Sequence, residues 1–126
     1  MGKDIHPSIL EFFHKAIGNH QSVERIEEIS NSEHYIFRII RKNRKRDVNI
    51  LLSDAYYYGH VDFYTRPEEL LNGGIILVAK PESQFTNDEH INDEDDKIII
   101  GKIGIVLGAL NLDEYWKYKK PKKKTE

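Results

Sequence analysis

Hydrophobic and polar positions alternate with two different periods along this chain, and the first period predicts a helix. Residues 7–18 carry apolar side chains at the three- and four-residue spacing of a helical face: Ile9, Phe12, Phe13, Ala16 and Ile17. Pro7 suits the first turn and Gly18 suits the end. The chain is therefore expected to begin with an amphipathic helix.

The second period, two residues, predicts strands. Residues 34–41 place Tyr35, Phe37 and Ile39 opposite Ile36, Arg38 and Ile40, as a strand does. Residues 23–29 alternate loosely and residues 48–52 are apolar and β-branched, so they are expected to be strands on either side of it. Short connections, one of them a turn at Asn31-Ser32, make these three strands antiparallel neighbours.

The second half of the chain predicts a buried strand between helical segments. Residues 75–79 are apolar without alternation, which is typical of a central strand covered on both faces, and Pro81 ends the run. Before it, Thr65 and Glu68 have the spacing of a capping box, which predicts a short helix over residues 67–71.

The remaining residues predict an exposed acidic loop over 83–96, a strand over 97–101 and a helix over 103–110. The expected order is thus α-β-β-β-α-β-β-α. This is an α/β (α+β) fold with a mixed sheet flanked by an N-terminal and a C-terminal helix. At 126 residues it fits one domain, residues 1–118, followed by a basic tail, residues 119–126, for which we predict disorder.

Composition narrows the classes of protein. The chain contains no cysteine, which excludes disulfides, thiolate zinc sites and a cysteine nucleophile, and suits a reducing cytoplasm. No apolar run approaches the roughly 20 residues of a membrane-spanning helix, so we expect no membrane partner. The formal net charge of −2 conceals basic residues grouped at residues 41–46 and 117–124, and acidic residues grouped at 88–96.

The first basic group predicts either a solvated turn or a contact with an anion. Arg41, Lys42, Arg44, Lys45 and Arg46 follow a predicted strand within six positions. Clustered Lys and Arg side chains bind phosphates without reading sequence, so nucleic acid is the macromolecular partner they favour.

Unusual side chains concentrate between the third strand and the central strand. Asp54 follows one apolar run, Lys80 leaves the next, and Tyr57, Asp62 and Arg66 lie between them. A bland role is open for each: a turn cap for Asp54, a buried partner of Arg66 for Asp62, solvent for Lys80. The triplet at 56–58 could pack in the core, stack on bases beside the basic turn, or contact a protein.

In order of elements, residues 7–82 resemble the αβββαβ core of the restriction-endonuclease-like superfamily, PD-(D/E)XK. The resemblance implies that Asp62 is the metal-binding aspartate and Lys80 the motif lysine, with Mg²⁺ or Mn²⁺ as cofactor. Val78 occupies the place of the motif glutamate. Catalysis then needs another carboxylate: Glu82 beside Lys80, Glu68, or Asp54 as a second metal ligand.

Two hypotheses about function follow. The first is a nucleic-acid-associated domain, either a divalent-metal-dependent nuclease or a catalytically degenerate relative, that contacts DNA or RNA through the basic turn, Tyr57 and Arg66. The alternative is a non-enzymatic module that binds a protein through the tyrosine-rich face or the acidic loop.

Overall fold

The computed structural model describes residues 7–30, 34–53, 67–78 and 90–119, which form a six-stranded mixed sheet with two α-helices and two 3-10 helices. In chain order the elements are α1 (Pro7–Gly18), β1 (Val23–Glu28), β2 (Tyr35–Arg41), β3 (Val48–Ser53), η1 (Glu68–Leu70), β4 (Gly74–Val78), β5 (His90–Asp93), β6 (Ile98–Gly101), α2 (Ile103–Ala109) and η2 (Tyr115–Lys117). The predicted α+β class is confirmed, and the order of elements roughly matches the predicted one, with one additional strand in the second half of the chain.

The strands lie side by side in the order β1-β2-β3-β4-β6-β5. As predicted, β1, β2 and β3 form an antiparallel meander. Strands β3, β4 and β6 are parallel, and β5 pairs antiparallel with β6 at the edge. Because the three parallel strands point the same way, their first residues, Val48, Gly74 and Ile98, lie at one end of the sheet. We call it the N-terminal end, and the β2–β3 turn lies there too.

Strand β4 is the central strand that its unbroken apolar sequence predicts. All five of its residues are buried. Ile75 and Leu77 contribute to the core on one face, whereas Ile76 and Val78 contribute to the core on the other. A strand covered on both faces has no position where a polar side chain is favoured, which explains the missing alternation.

The two helices and η2 cover the first face. Phe13 and Ile17 of α1 are buried there, and the Phe13 ring lies 4.8 Å from that of Phe37 on β2. Val106 of α2 and Trp116 of η2 complete this core. The second face carries a separate core in which Leu70 of η1 packs with residues of β2, β3, β4 and β6.

Two predictions are wrong in detail. Residues 90–93 were expected within an exposed acidic loop, but they form β5. Their strand conformation is stabilised by backbone pairing with the apolar β6, which the sequence of residues 90–93 alone does not indicate. The helix expected over residues 67–71 is the shorter 3-10 helix η1. Its N-cap residue, Pro67, makes no side-chain capping bond, and the predicted capping residue Thr65 lies outside the described residues. The predicted turn at Asn31-Ser32 also lies outside the described residues.

In the part of the chain that the structure describes, no helix is both long and apolar enough to cross a lipid bilayer.

Candidate functional site

A cavity of about 520 Å³ opens at the N-terminal end of the parallel strands. Its lining is mostly charged or amide side chains drawn from four separate segments: Arg38, Arg46, Asp47, Asn49, Glu69, Asn72 and Lys97. The volume falls in the range of small-molecule sites. The lining is more polar than most such sites, which favours a polar ligand.

Sheet register brings the first wall together. Arg38 on β2 pairs directly with Asn49 on β3, so their side chains project from the same face. The Asn49 side-chain amide donates to the carbonyl of Glu69 (2.9 Å), which fixes η1 against β3. Sequence positions 38, 49 and 69 therefore become neighbours only when the sheet forms.

On the other side of the cavity, two glycines allow the backbone before β4 to approach Tyr115 and Lys97 closely. Gly73 and Gly74 have φ angles of 127° and 148°, which L-residues rarely adopt. A Cβ on Gly73 would lie 2.8 Å from the hydroxyl of Tyr115, and the Gly74 N–H donates to the carbonyl of Lys97 (3.0 Å). The backbone before β4 thus lies directly against Tyr115 and against the turn that carries Lys97.

Trp116 lines the cavity, and its ring contacts two cations and a tyrosine of the protein. It is only 4% exposed, with the Arg46 guanidinium 4.8 Å and the Lys97 ammonium 5.5 Å from its ring. Both separations fit cation–π attraction. The Tyr115 ring meets the indole edge-on at 5.0 Å. Burial raises the pKa of Tyr115 to about 12, so its hydroxyl is protonated at neutral pH.

Arg46 is held in place by Asp113. Its guanidinium donates to both carboxylate oxygens (3.2 and 3.0 Å), and its backbone N–H donates to Oδ1 (2.7 Å). These bonds lower the pKa of Asp113 to about 2, so the pair is ionised across the physiological range. The charge of Arg46 is consequently balanced by its own partner.

Four other charged side chains in the lining are not balanced in this way. Arg38, Lys97, Asp47 and Glu69 make no ion pair and no side-chain hydrogen bond with any residue in the described ranges. Two cations and two carboxylates therefore share one cavity without pairing with each other. A ligand can contact these four groups without displacing an ion-pair partner among the described residues.

The five predicted basic-turn residues differ in exposure, and one of them is buried. Arg41 is 4% exposed, and its guanidinium donates to the backbone carbonyls of Arg46, Leu110, Leu112 and Asp113 at 2.6–3.1 Å. Burial lowers its pKa from the usual value, an effect that the charge of Asp113 partly offsets. The predicted surface contact of Arg41 with phosphate is not compatible with this position, where four of its five N–H donors bond to backbone carbonyls.

The rest of the turn is at the surface. Lys42, Arg44 and Arg46 are exposed and Lys45 is half-buried. Asn43 and Arg44 adopt φ angles of 60° and 63°, and the Lys42 N–H donates to the carbonyl of Ser22 (2.8 Å), which ties the turn to the start of β1. Lys42, Arg44 and Lys45 thus belong to the turn that leads to Arg46, and Arg46 lines the cavity.

The other predicted site residues lie outside the described residues: Asp54, Tyr57, Asp62, Arg66, Lys80 and Glu82. Along the chain, Asp54 comes directly after β3 and Lys80 comes two residues after β4. Val78, in the place of the motif glutamate, is 2% exposed. Among the described residues no group of three potential ligands is arranged to hold a metal ion.

Sequence reasoning identified one cavity residue, Arg46, and missed the others. Arg38 gave the best available signal, because it is a cation within an otherwise apolar strand. Asn49 and Glu69 gave none, since either type is ordinary at a strand or helix surface. Comparison of the chain with protein-family models, curated proteins and solved structures finds no match.

Proposed function

We propose that this chain is a nucleic-acid-associated domain that binds the sugar-phosphate backbone at the N-terminal end of its parallel strands. The cysteine-free composition is compatible with a cytoplasmic setting. The observation that carries the proposal is that Lys42, Arg44 and Lys45 lie in the turn leading to the cavity residue Arg46, while Arg38 and Lys97 line the cavity itself. None of these five cations forms an ion pair with a described residue.

Electrostatics supports this assignment over a structural role for the same cations. A Lys or Arg that serves the fold is buried or paired, as Arg41 and Arg46 are. The three turn cations instead extend from a backbone whose shape is fixed by its own hydrogen bonds, Lys45 N–H to the Lys42 carbonyl among them. Presenting several cations on a fixed backbone lowers the entropic cost of binding a polyanion.

The restriction-endonuclease-like core is part of the proposal. Its support is the element order α1, β1 to β3, η1 and β4, which agrees with the αβββαβ order expected of that superfamily. Catalysis would fall to Asp62, Lys80 and Glu82 with Mg²⁺ or Mn²⁺. A nuclease assay with either ion, on the parent chain and on Asp62→Asn, tests that part separately.

A salt titration tests backbone binding. We compare K42Q/R44Q with the control K15Q/K102Q, which removes the same charge from α1 and from the residue after β6. Log K against log [salt] should be less steep by about 1.4–1.8 in K42Q/R44Q, because each lost phosphate contact changes the slope by about 0.7–0.9. The control should match the parent chain.

Absence of binding to DNA and RNA at low salt would contradict the proposal, as would equal slopes for the two double variants. In the first case, a protein retained in a pull-down would favour the alternative interaction module.

A further inference from the structure

Four charged side chains of the cavity have no ion-pair partner within the described ranges, and they restrict the chemistry of its ligand. Arg38 and Lys97 attract an anion, but Asp47 and Glu69 line the same space and repel one. A ligand that offers only acceptors, such as free phosphate or the backbone of DNA, satisfies the cations and leaves the carboxylates opposed to negative charge. A ligand that places hydroxyl donors beside its phosphate satisfies both sets.

The amide side chain in the first wall adds another acceptor. Asn49 uses one of its two amide N–H groups on the carbonyl of Glu69, so its Oδ1 acceptor and one N–H remain for a ligand. Trp116 is buried under Arg46 and Lys97 and does not present an open ring face on which a base could stack. The described cavity therefore suits a sugar-phosphate unit better than a base.

We infer that the cavity selects a ribonucleotide unit, with its phosphate at Arg38 and Lys97 and its ribose 2′-hydroxyl donating to the carboxylate side formed by Glu69 and Asp47. The 2′-hydroxyl is the donor that distinguishes RNA from DNA at a protein site. This inference rests on the proposed function and narrows it to RNA. A volume of about 520 Å³ is adequate for one nucleotide.

The test compares three single-stranded oligonucleotides of one sequence: RNA, DNA and 2′-O-methyl RNA. Binding is measured by fluorescence anisotropy at one fixed salt concentration. We expect RNA to bind about tenfold more tightly than the other two, the effect of one hydrogen bond to a charged acceptor. The 2′-O-methyl form retains the ribose and its 2′ oxygen, and replaces the O–H donor by a methyl ether.

Two variants locate the preference. Glu69→Ala should bring the ratio of RNA to DNA affinity close to one, while DNA binding stays equal or becomes tighter because a negative charge is lost. Asp47→Ala should reduce the ratio in the same direction. Glu68→Ala is the matched control: it removes an exposed carboxylate from the same 3-10 helix, outside the cavity lining, and should keep the ratio.

A second readout is specific to the cavity. Trp116 is the single tryptophan of the chain, so intrinsic fluorescence reports from the cavity wall. RNA should change this emission in the parent chain, and the change should be lost in Arg38→Gln. Uridine monophosphate that displaces RNA and changes the emission equally would support the same ribonucleotide chemistry with a free nucleotide as its source.

Each outcome distinguishes the two claims. Equal binding of RNA, DNA and 2′-O-methyl RNA overturns the inference and leaves nucleic-acid association in place. An RNA preference that survives both Glu69→Ala and Asp47→Ala also overturns it, because discrimination then lies elsewhere. Failure of every oligonucleotide to bind overturns both claims.

Discussion

Replacing Arg41 by methionine should destabilise the fold severely, although the residue belongs to a sequence that reads as a surface turn. Its guanidinium donates to four carbonyl groups, three of which belong to the segment between α2 and η2. A methionine keeps much of the apolar stem and removes every donor. The change therefore isolates the hydrogen bonds from the packing.

The magnitude follows from which acceptors can regain water. Each hydrogen bond from a charged donor contributes about 1.5–3 kcal/mol. Leu112 and Asp113 are exposed, so their carbonyls can be hydrated in the variant, whereas the bond to Leu110 is buried. We expect a loss of about 3–5 kcal/mol, a large part of the about 5–15 kcal/mol of a typical domain.

Urea denaturation followed by circular dichroism measures this loss. The midpoint should fall by at least about 1 M with an unchanged slope. Arg44→Met is the control, since it removes the same side chain from an exposed position of the same turn and should change stability by less than about 0.5 kcal/mol. Similar small effects of both substitutions would refute the buried hydrogen-bond network.

Three further predictions concern the cavity walls. Because the pKa of Asp113 is lowered, the ionised side chain stabilises the fold above about pH 4, and this stabilisation is lost as the pH falls towards 2. The side chain is 48% exposed, so the effect on the free energy of unfolding is small. Asp113→Asn should reduce the acid dependence of that free energy by only about 0.5–1 kcal/mol, measured by urea titrations at several pH values. The raised pKa of Tyr115 acts in the other direction: the neutral hydroxyl stabilises the fold fully below pH 10, and this stabilisation is lost as the pH rises towards 12. Tyr115→Phe should therefore reduce the alkaline fall in the free energy of unfolding by about 2–3 kcal/mol. An unchanged alkaline fall would contradict the raised pKa. Gly74→Ala should cost about 2–4 kcal/mol by thermal melting, because its Cβ would lie 2.8 Å from the backbone carbonyl oxygen of Asn49 at a φ of 148°; a loss below about 1 kcal/mol would show that this backbone can move.

A local sequence pattern predicted an element correctly where the pattern arises from the burial of that element itself. The three- and four-residue spacing of α1 and the alternation of β2 both mark a single buried face. The unbroken apolar run of β4 marks two. Strand β5 was missed because its pairing with β6 is a property of the partner strand, which the sequence of residues 90–93 does not contain.

The candidate cavity was largely unpredictable for a similar reason. Its walls come from residues 38, 46–49, 69–73, 97 and 115–116, which only the strand order brings together. The insertion of β6 between β4 and β5 places Lys97 next to Gly74, as the hydrogen bond between them shows. In contrast, six predicted site residues lie outside the described residues: Asp54, Tyr57, Asp62, Arg66, Lys80 and Glu82. The candidate carboxylate Glu68 lies in η1 and does not line the cavity.

Arg41 and Arg44 show what each level of information decides. The sequence by itself determined the elements and the concentration of positive charge between β2 and β3, because periodicity and composition are local properties. It could not determine which arginine is structural. That was decided by carbonyl groups about 70 residues away, which the tertiary fold places against Arg41 and not against Arg44. A buried cation requires partners in space, and those partners exist only after the chain has folded.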